Sequence, residues 1–214
     1  MTYLEVVNRV LRRLRESEVS SVNESPYSKL IGDLVNVVKA EIEDAWDWSV
    51  LRDTLTVVTT PILFNYILTS AGTRFRVLDV VNDTDNFFLQ QKSAHWFDQQ
   101  FLMSAEGQQG SPVYYNFNGV DSNGDIQVDF FPIPDAVYDI RMNMVIPQAE
   151  LVQDSTKVLI PGTLLVEGVL ARAISERGED GGYLEQQDRF DTMLANLIAF
   201  EAMNREDEIS WGAV

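Results

Sequence analysis

One change of rhythm limits what this chain can become. Up to about Trp46 its apolar residues recur every three or four positions, as on a helix. From Thr54 they alternate in short runs, as on a strand, and after Pro161 the helical spacing returns. Helical ends around a strand-like middle exclude an all-α or an all-β fold. Each end helix has an apolar stripe that needs cover, so the economical packing sets the end helices against one another. The expected fold is α+β: a four-helix bundle formed by the N- and C-terminal helices with an inserted antiparallel β domain. The expected segments are helices over 1–52, the β domain over 53–160, helices over 161–205 and a docking tail over 206–214.

The details support the periods. Thr2 and Glu5 make a capping box at the start of a helix over 2–16, with Leu4, Val7, Leu11 and Leu14 on one face. Arg9, Arg12, Arg13 and Arg15 lie on the other side, either as a solvated face near a helix C-terminus or as a contact for an acidic neighbour. Ser25-Pro26 begins a second helix, as N-cap and first helical residue. Its stripe of Tyr27, Leu30, Ile31, Leu34, Val38 and Ile42 runs to Ala45 and Trp46. The segments TLTVVT, LFNYIL, RFRVLDVVN, VYYNFN, DIQVDFFP and AVYDIRMNMVIP are rich in β-branched and aromatic residues and predict six or seven mostly antiparallel strands. A short helix is expected over 93–102. Leu164 to Ile174 is almost wholly apolar or small, which predicts burial on several sides. ERGEDGG stops that helix, and a longer one runs from Tyr183 to about Arg205 with Phe190, Leu194, Leu197 and Ile198 on one side.

At the first change of rhythm stand Trp46 and Trp48. On a helix they would point roughly 160° apart, whereas on an extended chain i and i+2 point the same way. A helix ending between them lets Trp46 close the bundle while Trp48, Val50 or Leu51 packs an inter-lobe seam. A ligand-binding aromatic box would draw side chains from separate elements around a cation, and nothing in the sequence indicates one.

Composition removes whole classes of chemistry. There is no cysteine, hence no disulfide, zinc–thiolate site or cysteine nucleophile. No run of about 18 apolar residues predicts a membrane span, and Arg9–Arg15 interrupts anything like a signal peptide. With 16 basic against 33 acidic residues the net charge is −17, the reverse of a nucleic-acid-binding footprint. His95 is the single histidine, too few for a metal site, and no G-x-S-x-G elbow gives it a serine to activate. Asp121-Ser122-Asn123-Gly124-Asp125 opens like a calcium loop, but its twelfth position is Pro132 and strands flank it, so a hairpin turn is expected. The acids gather at ends and turns, as in Glu176–Asp180 and Glu206–Glu208, and no phosphate-binding glycine loop is present. No catalytic residue, metal or cofactor is therefore expected. The last ten residues, REDEISWGAV, are acidic and then apolar, which suits a peptide that docks in a partner's groove.

Several phrases together resemble the head-to-tail adaptor (head–tail connector, gatekeeper) proteins of short-tailed bacteriophages. They are the opening MTYLEVVNRVLRRLRE, the helix end AWDWSVLR, the hairpin YYNFNGVDSNGDIQVDFFPIPD, ISERGEDGG and a tail ending in tryptophan. The resemblance implies a structural virion protein at the head–tail junction, assembled in the host bacterial cytoplasm. It implies rings, typically of twelve copies, that sit beneath the portal protein, carry the tail nozzle and sometimes fibres, and extend the channel for double-stranded DNA. It also implies that the C-terminal extension, here Glu206, Asp207, Glu208, Ile209, Trp211 and Val214, reaches the portal. An acidic channel lining would repel phosphates and let the genome slide, whereas the same charge on the outer wall would serve solubility or a basic partner. The alternative is a non-enzymatic, β-lobed binding module, carbohydrate- or fibre-associated.

Overall fold

The computed structural model describes residues 1–69, 71–72, 74–103, 107–178 and 180–203. Among these the protein is mixed α+β. The helices are α1 (Tyr3–Arg13), α2 (Pro26–Ala45), α3 (Ala94–Met103), α4 (Gly162–Glu176) and α5 (Asp180–Met203). The strands are β1 (Arg52–Val58), β2 (Asn65–Leu68), β3 (Arg76–Asn82), β4 (Phe87–Phe88), β5 (Gln90–Gln91), β6 (Tyr114–Val120), β7 (Ile126–Phe131) and β8 (Asp139–Val145). The chain divides into two compact units, Met1–Leu51 with Gln148–Val214, and Arg52–Pro147.

In the helical unit α4 is central: it packs against α1, α2 and α5, and α1 packs against α2. That explains its composition, since nine residues between Leu164 and Ala173 are buried and only Arg172 in that stretch is half-exposed. Gly168 lets α4 pass close to α2 and α5. A Cβ there would stand 2.6 Å from Val38 Cγ1 and 2.7 Å from the Phe190 ring. α1 begins at the expected capping box, with Thr2 N–H donating to the Glu5 carboxylate at 2.9 Å and Glu5 N–H to Thr2 Oγ1 at 3.3 Å. It buries Tyr3, Val6, Val7, Val10 and Leu11; of the predicted stripe Val7 and Leu11 are buried and Leu4 and Leu14 half-buried, because α2 and α4 cover a face turned toward Val6 and Val10. α2 begins at Ser25 and Pro26, and Ser25 and Ser28 cap one another reciprocally. Gly178, at φ +70°, takes the left-handed position that ends α4.

Residues 148–160, expected to belong with the strands, pack instead in the helical unit. They lack a period because their backbone bonds to helix ends and side chains. The first N–H groups of a helix have no partner within it, and here Tyr3 N–H donates to Thr156 O (2.9 Å) and Leu4 N–H to Asp154 O (3.1 Å). Val158 N–H reaches Met1 O, and Leu151, Val158 and Ile160 are buried.

The β unit has two four-stranded sheets, ordered β1-β8-β3-β4 and β2-β7-β6-β5. One apolar core draws on both: Val57, Val80, Ile140, Met142 and Met144 from the first, Tyr66, Leu68, Tyr115, Val128 and Phe130 from the second. β8 alternates as predicted, burying Ile140, Met142 and Met144. β7 does not alternate, because both of its faces are covered: Phe130 enters the core while Phe131 meets Trp96, Phe97 and Phe101 of α3. The sheets are not wholly antiparallel, since β5 runs parallel to β6. The reason is the connection: α3 lies between them, and a helical crossover returns the chain in the same direction. Buried Leu89, between β4 and β5, carries the chain from one sheet to the other.

Candidate functional site

The residues singled out at the first change of rhythm are neighbours at the end of α2. Helical dihedrals stop at Ala45, and Trp46 is extended (φ −157°, ψ 158°). Trp46 is half-buried. Trp48 is 1% exposed, and its indole N–H donates to Ile42 O at 2.6 Å. The last carbonyls of a helix lack partners within it, so Trp48 fills space and satisfies one of these orphans. Leu51, also buried, closes a single 3₁₀ turn over Ser49–Leu51, with its N–H bonded to Trp48 O at 3.0 Å. Glu201 of α5 holds this turn from outside, accepting from Ser49 N–H and Oγ.

A second cluster escaped the sequence reading. Lys39 and Glu43 lie on the buried side of α2, with Lys39 Nζ 3.1 Å from the Glu43 carboxylate. Lys39 also donates to Gln148 O at 2.5 Å, and Gln148 N–H donates to Glu43 at 3.3 Å. One turn earlier Asn36 clasps Leu151, donating to its carbonyl and accepting from its N–H. Three polar side chains of one helix thus fix the register of a segment more than 100 residues away in sequence. Their i,i+4 spacing, each one position after an apolar residue of the stripe, marks a pair of charges but does not tell a buried pair from a solvated one.

Glu167 is the third such residue, in the middle of α4. Its carboxylate accepts from Arg13 of α1 at 2.5 Å and from Gln186 of α5, and Arg189 of α5 lies 3.6 Å away. Burial alone would push this carboxyl up. The bonds from Arg13 and Gln186 and the charges of Arg13 and Arg189 outweigh it and hold the group below the usual range. Beside this node lies a surface recess of about 400 Å³ lined by Arg9, Arg12, Arg13, Thr163, Val166 and Glu167.

The remaining candidates sit apart. His95 is exposed on α3, next to Trp96, which packs edge-on against Tyr114 and Phe131. Asp121 is occupied by its own turn: its carboxylate accepts from Asn123 N–H (2.8 Å) and Asp125 N–H (2.9 Å), which hold it below the usual range. Glu206, Asp207, Glu208, Ile209, Trp211 and Val214 lie outside the described residues. No helix among the described residues is long and apolar enough to cross a membrane, and no group of three or more His, Asp or Glu there is placed to hold a metal.

The matching family model, described as SU10 adaptor protein, covers residues 1–213. The chain belongs to that family. The adaptor is thus a structural protein of the bacteriophage virion, of the head-to-tail class that its local phrases resemble. Membership places its interactions among portal and tail components. A search of curated proteins finds no match.

Proposed function

We propose that the adaptor assembles beneath the portal as a ring, dodecameric as in the family it resembles, that extends the DNA channel and presents a docking surface to the tail nozzle. The ring retains the packaged genome and conducts it at ejection. The observation that carries this reading is membership of the adaptor family across nearly the whole chain. Two features support it. A net charge of −17 per copy suits a protein past which DNA must slide, since acids carried on the channel side repel phosphate instead of binding it, the reverse of counterion-release attachment. The helices α1, α2 and α5 pack on α4; in this proposal they form the bundle that stands beside its copies, with Trp46, Trp48 and Leu51 as its seam to the strand-built segment.

In this proposal the tail, with Glu206, Asp207, Glu208, Ile209, Trp211 and Val214, is the portal-binding element: its acids steer it and its apolar tip inserts. Mixing the protein with portal rings of the same virus and imaging the product tests the function. Rings of adaptor on portal are expected. Unattached single subunits, or a subunit holding a glycan in its β unit, would contradict it and favour a binding module. Deleting Glu206–Val214 is expected to abolish attachment while leaving the melting temperature unchanged. Full attachment of the truncated chain would remove the tail from the portal contact.

A further inference from the structure

The helical unit carries two rows of opposite charge that do not satisfy each other within one copy. On α1, Arg9, Arg12 and Arg13 occupy an arc of about 100° and line the recess beside α4. Arg13 is bound to Glu167 and Arg12 to Glu18, whereas Arg9 is exposed and makes no hydrogen bond or ion pair among the described residues. On α5, Phe190 is buried and Gln186 and Arg189 turn to Glu167. Glu185, Asp188 and Asp191 are exposed, and none forms an ion pair among the described residues. Further along, the outer side of α5 becomes small and apolar, with Ala195, Ala199, Ala202 and Met203 exposed. Phe190 is the one apolar side chain of α5 that is fully buried among the described residues. An exposed face that is acidic at one end and apolar at the other is a surface that a partner can cover.

We propose that the arginine row of α1 receives the acidic row of α5 from a second copy of this chain. This inference rests on the self-assembly reading above and adds the surfaces that would mediate it. Charge complementarity selects the occupant. Two copies at −17 repel one another as wholes, but screening confines that repulsion to about 8 Å at physiological salt. Association then depends on local opposition of sign. Arg9 and Arg12 at the recess provide a cationic surface in a chain dominated by acids, and α5 provides an unpaired acidic row followed by apolar surface. Val166 and Thr163 give the recess an uncharged wall against which helix side chains can pack. Because the two faces differ, the contact is heterologous: each copy keeps one free face of each kind until a ring closes.

Charge reversal with rescue tests the contact. One variant carries Arg9→Glu and Arg12→Glu, a second carries Glu185→Lys and Asp188→Lys, and a third carries all four. Native mass measurement of assembly on portal rings is the readout, and melting curves confirm that each variant folds. Neutral Arg9→Gln and Asp188→Asn are the milder pair should a reversal unfold the chain. Each double reversal is expected to raise the concentration for half-assembly by on the order of tenfold or more, and the fourfold variant to return it to within about threefold of wild type. Wild-type rings with silent reversals, or a fourfold variant worse than either double, would overturn this contact and leave the ring standing. Wild-type protein that binds portal only as single copies would overturn the ring and the contact with it. Rings unaffected by reversal but disrupted by competing DNA would assign the arginine row to nucleic acid instead.

Discussion

In the helical unit Lys39, Glu43 and Glu167 are buried charges; in the β unit, among the described residues, the buried charged side chain is Asp129. The contrast extends to what fills each interior. The β unit is packed by aliphatic, aromatic and methionine side chains from two facing sheets, and its polar links, such as buried Asp129 with Asn65 and Asn143 with exposed Thr54, join strands already paired in a ladder. The helical unit gathers its elements from both ends of the chain and ties them with side chains that bind backbone or carboxylate. A sheet sets its own register through its ladder, because a one-residue slip turns every side chain to the wrong face. Packed helices can slide or rotate with less penalty, so directional bonds are a means of fixing them. That idea makes the contrast testable.

The largest effect is expected at Trp48, which combines burial with a hydrogen bond. Trp48→Ala should lower stability by about 3–5 kcal/mol in urea unfolding. A loss under about 1 kcal/mol would show that the end of α2 does not need it. Next is Lys39→Met, which leaves Glu43 buried without its cation and should cost about 3–5 kcal/mol. Adding Glu43→Leu should recover most of that stability while loosening protection of the 148–151 amides in hydrogen exchange. Recovery with unchanged protection would show that packing, not the ion pair, sets the register.

Glu167 sharpens the comparison through pH. Its folded carboxyl lies below the ordinary value of 4.5, so its contribution is present above that value and fades as pH falls through the folded one. Glu167→Gln should cost about 1–3 kcal/mol at neutral pH and flatten the acid limb of the stability curve. An acid limb as steep as wild type would assign the pH dependence elsewhere. The smallest effect is expected at the surface of the β unit, where Arg141→Ala removes an exposed pair with Asp83 and should leave the melting temperature unchanged within error.

What the sequence allowed to be read follows the same divide. Local signals were legible: the caps at Thr2 and Ser25, the period change near Trp46, the alternation of β8, the turn at Asn123-Gly124 and the stop at Gly178. The mixed α+β class followed from them. Lys39 and Glu43 were not legible as buried residues, because charged side chains at i,i+4 normally mark a solvated face. Glu167 was hidden inside an apolar run for the same reason. Residues 148–160 have no period since their partners are helix ends, and β5 is too short for alternation to register. The arginine row of α1 was visible, but only the folded pairs of Arg12 with Glu18 and Arg13 with Glu167 set Arg9 apart from its neighbours.

The central claim is that many copies of this chain act together on the portal. Native mass measurement of portal rings saturated with the 24.2 kDa adaptor tests it most directly. The account predicts a jump to a closed set of about twelve copies, with few partial species between. A complex that accepts one or two copies and then saturates would contradict it.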